Sequence, residues 1–295
     1  MRGHRTLIAR NLCLSCCLLA GPAFASGVAP ECESALSGGK EAQVPDGDYD
    51  AYNARQSAKM LNHPALTMLV SPLGMPRAKG ATLSLEIARL PPLGCADRVV
   101  YFQPTDALKT EDTNKIPVLP RPRLRVGLPK LFGLDGYLGV AYVPPVPLGS
   151  TSMHHAGFEL GLSKALSREL SVGLRYHAAV SKVADDIAKS VEEDGPKVLD
   201  FYANGMWGLG LHAGYEGGAL PQGLGLYTSF GFANVGTFFL IGDDNVIQNN
   251  PAPFQGVDYS LGAVYHQGVI EAALEWHAAV GSTMQTVRSR IGYRF

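Results

Sequence analysis

The stretch that most limits what this chain can fold into is its last forty or so residues, VDYSLGAVYHQG, VIEAALEWHAAVG and TMQTVRSRIGYRF. They read as three antiparallel strands with strict two-residue alternation, and the chain stops on an aromatic, Phe295. One face takes Val257, Tyr259, Leu261, Ala263 and Tyr265, then Ile270, Ala272, Leu274, Trp276, Ala278 and Val280, then Val287, Ile291, Tyr293 and Phe295. The other takes Asp258, Ser260, His266, Glu271, Glu275, His277, Arg288, Arg290 and Arg294. A soluble sandwich turns its apolar side to a core and its charges to water. Here the apolar side is a long, aromatic-rimmed band, and the opposite side mixes both charge signs with glycine. That pattern suits a sheet whose oily face meets lipid and whose polar face lines a closed lumen.

The other end of the chain supplies the compartment. Arg2, His4, Arg5 and Arg10 precede an apolar run from Leu12 to Ala20, and Ala23-Phe24-Ala25 is an A-x-A site before Ser26. Residues 1–25 therefore read as a secretory signal peptide, too short and wrongly flanked for an anchor. Cys16 and Cys17 lack the spacing that lipid attachment requires. Removing the signal leaves 22 basic residues against 26 acidic ones, a balance that argues against a nucleic-acid partner. No later apolar run reaches the roughly 18 residues of a membrane helix. A membrane protein made from this chain must be a barrel, and 34 glycines with 17% charged residues agree.

Residues 26–80 form a lead. Asp48 can cap a short helix running to Asn62, stopped by Pro64. The helix is expected either in the periplasm or as a plug in the lumen. Barrel strands then follow over 81–295. TLSLEIARL ends at Pro91-Pro92 and GYLGVAYV ends at Pro144-Pro145, each halted by residues that cannot donate to a ladder. The charged, proline-punctuated 91–122 segment between them is expected to be a loop. RLRVGLP follows, with Leu124, Val126 and Leu128 outward and Arg123 and Arg125 inward. Residues 153–164 place Glu159 inward, 170–181 place Arg175 and His177 inward, and 199–215 place His212 inward.

Connections alternate short (KALSRE, EGGALPQG, HQG) and long (91–122, KVADDIAKSVEEDGPKV, FFLIGDDNVIQNNPAPFQG), as barrels do with short turns on the periplasmic side. The count is ten strands in an all-β, antiparallel, up-and-down transmembrane barrel. A twelve-strand alternative adds ALTMLV (65–70) and RVVYF (98–102). Cys32 and Cys95, the two cysteines left after processing, are either a disulfide or free thiols. With twelve strands they lie together on the periplasmic side. With ten, a bridge needs the lead to thread up the lumen.

The signal peptide, the alternating strands, the long and short connections and the ending Ile291-x-Tyr293-x-Phe295 together resemble Gram-negative outer-membrane β-barrel proteins over roughly residues 82–295. The resemblance implies Sec export, an outer-membrane location, contact with outer-membrane lipid, and assembly by the barrel-assembly machinery, with Ile291, Tyr293 and Phe295 as its recognition signal.

Thirteen side chains are then candidate lumen residues: Arg123, Arg125, Glu159, Arg175, His177, His212, Asp258, Glu271, Glu275, His277, Arg288, Arg290 and Arg294. A tight turn at Ser282-Thr283 would set Glu271 opposite Arg294, Glu275 opposite Arg290 and His277 opposite Arg288, an internal charge network. Inward glycines (Gly157, Gly161, Gly173, Gly208, Gly210, Gly214, Gly223, Gly225, Gly231) either leave room for a permeant or relieve crowding. No sequence-visible catalytic motif occurs. His154 and His155 are adjacent and point to opposite faces, and no metal site or cofactor is expected. The functional expectation is a non-enzymatic passive pore or uptake route for a small, possibly hydrophobic solute. The alternatives are a structural or adhesive barrel with a blocked lumen, and a membrane-embedded lipid hydrolase.

Overall fold

The computed structural model describes Cys32, Asp48 and residues 51–52, 55–56, 74–76, 80–90, 92–97, 99–102, 107–110, 118–148, 151–185, 200–241, 246–248, 254–280 and 285–295. The expected signal peptide and the ALTMLV segment lie outside the described residues. In chain order the strands are β1 (Ala81–Arg89), β2 (Val99–Phe102), β3 (Ala107–Thr110), β4 (Val118–Leu131), β5 (Leu134–Leu148), β6 (Thr151–Ala165), β7 (Leu170–Asp185), β8 (Asp200–Tyr215), β9 (Leu224–Ile241), β10 (Val246–Gln248), β11 (Phe254–Gln267), β12 (Ile270–Ala279) and β13 (Gln285–Arg294). Ten of them close a ring, β1-β4-β5-β6-β7-β8-β9-β11-β12-β13 and back to β1, every pair antiparallel. β10 only extends β9 beyond the ring, and β2 pairs with β3 alone.

Closure fixes the tilt. From Ser84, cross-strand partners run through Gly292 and Glu271 to His266 on β11. The other way they run through Arg123, Ala141, Gly157, Ala179, Met206 and Val235 to Phe254 on that same strand. The stagger is 266 − 254, or twelve residues, and a closed sheet absorbs such a stagger by tilting its strands roughly 35–45° to the axis. No helix among the described residues is long and apolar enough to cross a membrane.

Period-2 patterning places the faces as the alternation requires. Leu83, Leu85, Leu124, Phe158, Leu160, Leu209, Leu261, Ile291 and Phe295 are exposed on the outside. Tyr259 packs edge-on against Trp276 and Tyr293 against Phe295, aromatic pairs on that outer surface. Ala278 shares the outward parity yet is buried, a small side chain whose cross-strand partner is Tyr259. At the short-turn end, β4 and β5 join through Phe132 (φ 50°) and Gly133 (φ 78°). A two-residue hairpin with φ positive at both centres matches the twist of the strands it joins.

Three expectations change, and one choice that the sequence leaves open is decided. β1 ends at Arg89, ahead of Pro91-Pro92 as expected, but prolines do not end the other strands: β4 begins at Val118, inside the segment expected as loop, and β5 runs on through Pro144, Pro145 and Pro147 to Leu148. They are tolerated because β4 and β5 pair only from Arg123↔Ala141 toward the short turn, so the prolines stand on unpaired edges. The 91–122 segment is not all loop, since β2 and β3 make a small hairpin within it. The closing hairpin pairs Glu275 with Arg288, Glu271 with Gly292 and His277 with Thr286, a register two residues away from the expected one. Finally, Cys32 and Cys95 are bridged (Cα–Cα 5.4 Å) in a ten-strand barrel.

Candidate functional site

The alternation that turns apolar side chains outward sends ionic ones into the bore, where they must be paired or wet. On one side of the bore they are paired across several strands. Glu86 of β1 accepts from Arg121 Nε at 2.7 Å and also bonds Arg121 Nη2 and Arg123 Nη1. Arg123 bonds Glu159 of β6, and Glu159 lies 3.5 Å from Arg175 of β7. β4 and β6 are not neighbours, so Arg123 reaches over β5, where Gly139 offers no side chain to obstruct it. A Cβ on Gly139 would collide with the Glu159 carboxyl. On β12 and β13, Arg288 Nη2 lies 3.1 Å from Glu275 Oε1, and Arg290 bonds Glu271. His277 Nε2 lies 3.5 Å from Asp258 Oδ2, and His266 Nδ1 lies 3.2 Å from Glu271 Oε2. Arg288, Glu275 and His277 are all 1% exposed or less.

The inward glycines answer these long side chains one for one. Gly161 faces Tyr137, Gly139 faces Glu159, Gly208 faces His177, Gly262 faces Tyr227 and Gly231 faces Asp258, each directly across a strand pair. A Cβ at any of the five would strike that partner's side chain, at 2.9 Å from Asp258 Oδ1 in the Gly231 case. Of the two readings of the inward glycines, relief of crowding is the one that the geometry shows at these positions.

A second set of glycines seats part of the lead. A Cβ on Gly214 would lie 2.5 Å from Met75 Cε, one on Gly225 3.3 Å from Met75 Sδ, and one on Gly173 3.2 Å from Pro76 Cβ. Met75 joins Tyr227, Val264 and Ala273 in a buried apolar cluster. Arg125 Nη2 donates to the carbonyls of Met75 (2.9 Å) and Pro76 (3.3 Å), while its guanidinium stacks 3.7 Å over the Tyr137 ring. Gly74 passes beside the Arg290 guanidinium with φ +139°, a backbone state that side chains rarely allow. Residues 74–76 thus sit inside the bore toward its short-turn end.

The described lead residues up to Gln56 sit at the opposite end. Ala51 N donates to Asp48 Oδ1 at 3.0 Å, the expected cap, and 51–52 and 55–56 are helical. Gln56 Nε2 donates to Ala96 O at 2.7 Å, next to the Cys32–Cys95 bridge just past β1. The helix is thus held at the long-connection end of the barrel.

Of the thirteen candidate lumen residues, twelve turn buried side chains into the bore, and Arg294 sits half-buried at its rim, its Nη2 3.5 Å from Gly268 O. Ile291, Tyr293 and Phe295 lie on the lipid-facing side of β13. Glu86, Arg121 and His155 were missed as site residues. Alternation in TLSLEIARL already opposes Glu86 to Leu83, Leu85 and Ile87, whereas Arg121 was hidden among prolines. Among the described residues no group of three or more His, Cys, Asp or Glu could hold a metal ion.

No protein-family model matches the chain, and no curated protein matches it. Solved structures do. OmpT, an outer membrane protein of Vibrio cholerae in a loop L8 deletion form, is 15% identical over 60% of this chain and 53% of that one (TM-score 0.30). The Ralstonia pickettii toluene transporter TbuX is 9% identical over 79% of this chain and 94% of that one (TM-score 0.33). The β domain of the Bordetella autotransporter BrkA is 13% identical over 73% of this chain and 99% of that one (TM-score 0.36). The chain thus spans about half the length of OmpT. These are likenesses to outer-membrane β-barrel proteins in architecture alone.

Proposed function

We propose that this protein is an outer-membrane barrel whose bore is closed along its axis at rest. It serves as a lipid-embedded, non-enzymatic scaffold for its disulfide-tied outer end and not as a standing diffusion pore. The observation that carries this reading is the burial of Arg288, Glu275 and His277 in the middle of the bore. An open pore keeps such groups in water, whereas here they press on one another and on glycine. The cavity bordered by Arg175, His177, His212, Ser229 and Asp258 has a volume of about 10 Å³, room for one water. A ten-strand ring is also close to the width that side chains alone can fill.

Planar-bilayer recording tests it: the full chain is expected to stay silent, and discrete conductance steps from it would overturn the reading. A gated passage for small solutes is the second reading. It is favoured by residues 74–76 of the lead, a separable segment that packs into the bore at its short-turn end. Steps from a chain lacking residues 26–79, beside a silent full chain, would establish it.

A further inference from the structure

The wall is not uniformly bonded. β4 residues 118–122 pair with β1, through Leu119↔Ala88, Pro120↔Ile87 and Pro122↔Leu85. β5 residues beyond Ala141 pair with β6, through Tyr142↔Ala156 and Val143↔His155. Between β4 and β5 themselves, pairing stops at Arg123↔Ala141, although both strands continue. The two facing edges carry Pro120 and Pro122 on one side and Pro144, Pro145 and Pro147 on the other, none with an N–H to donate.

This seam lies at lipid depth. Leu85 and Ile87, level with Pro122 and Pro120, are exposed on the outer surface opposite Ile291 and Ser289 of β13. Backbone without partners is expensive in hydrocarbon, which is why closed barrels leave no edge there. Successive residues turn their N–H to opposite edges, so those of the five prolines that face the seam remove donors that would zip it shut. Behind the seam stands a polar group without a partner. His155, directly across from Val143, points into the bore with 1% exposure, and neither of its ring nitrogens has a hydrogen-bond partner. The buried Arg121–Glu86 pair projects inward from the strands on the other side of the seam.

We propose that the β4–β5 seam is a lateral portal. Through it an acyl-chain amphiphile of the surrounding leaflet slides its polar head between the two proline edges to His155, keeping its chain in the lipid. A neutral imidazole with both nitrogens free can donate to one oxygen of such a head and accept from a hydroxyl. The portal adds a side entrance to a bore proposed above to be closed along its axis.

The test is photocrosslinking of the full chain in lipid bilayers. A benzophenone amino acid replaces Val143, inward beside the seam, or Ala179, inward where β6, β7 and β8 are fully paired. Folded barrels are selected by their resistance to SDS without heating, and lipid adducts are counted by mass. The expected result is several-fold more lipid adduct at position 143 than at 179. Pro120→Val with Pro122→Val, which restores two N–H donors, should cut that excess at least several-fold. Equal adducts at both positions, or an excess that the double variant leaves unchanged, would overturn the portal. Bilayer conductance enters neither outcome, so the closed-bore reading stands or falls separately.

Discussion

From β12 round to β4 the bore wall carries long ionic side chains: Glu271, Glu275, Arg288, Arg290, Glu86, Arg121, Arg123 and Arg125. From β7 round to β9 it carries Gly173, Gly208, Gly210, Gly214, Gly225 and Gly231, with Ser171 and Ser229 and the longer Arg175, His177, His212 and Tyr227 among them. A ring of ten strands has no room for long side chains at every inward position. The first arc fills the bore, and the second makes way, by omission, for the side chains and the lead segment pressed against it. The difference shows that ionic side chains are concentrated in one arc, while glycines in the other make room for neighbours such as His177 and for the lead segment. Each arc should then fail in its own manner when altered.

The ionic arc should be the more brittle. Glu86 holds two guanidiniums, and Glu86→Gln takes the carboxylate from buried Arg121 and one carboxylate from buried Arg123, which still holds Glu159. Removing one partner of a buried ion pair costs about 3–5 kcal/mol. Urea unfolding in bilayers, followed by the fluorescence of Trp207 and Trp276, should show a loss of that size. A loss under about 1 kcal/mol would mean that the arc is wet and the pairs merely adjacent.

The glycine arc should be brittle only in places. A Cβ on Gly208 meets the His177 ring and lies 2.8 Å from the Phe232 carbonyl oxygen, whereas one on Gly210 finds nothing nearer than 3.6 Å. Gly208→Ala should therefore cost about 1–3 kcal/mol through overpacking. Gly210→Ala should stay within about 0.5 kcal/mol, as substitutions without such a clash do. Equal tolerance at both sites would make the strip an empty lane and not a set of seats.

How far the sequence reveals this follows from what alternation encodes. Period 2 separates faces, so the lipid-facing band, the inward charges and the ten-strand ring are all legible, down to Glu159 and Arg288. It says nothing about which inward residue meets which. The pairing of Tyr137 with Gly161 depends on the stagger around the ring, which no local pattern carries. Prolines misled in the other direction: they read as strand ends because a missing N–H normally stops a ladder, but an unpaired edge removes that cost. The bridge was legible only as a choice. Its two cysteines are 63 residues apart in sequence, and the lead that brings them together has no period to read.

Register within the ionic arc is the finest of these distinctions. A one-residue slip of β13 would have thrown Arg288 and Arg290 onto the lipid side, which the alternation forbids. A two-residue slip keeps every side chain on its own face, so hydrophobic patterning cannot choose between Glu275 opposite Arg290 and Glu275 opposite Arg288. The structure chooses Arg288. A double-mutant cycle separates them. Glu275→Arg alone should destabilise, and Arg288→Glu added to it should restore about 1 kcal/mol through a re-formed cross-strand pair. Arg290→Glu added instead should restore nothing, since its own carboxylate partner is Glu271. Recovery with Arg290→Glu and none with Arg288→Glu would put the register back two residues, and the ionic arc would have to be rebuilt around Arg294.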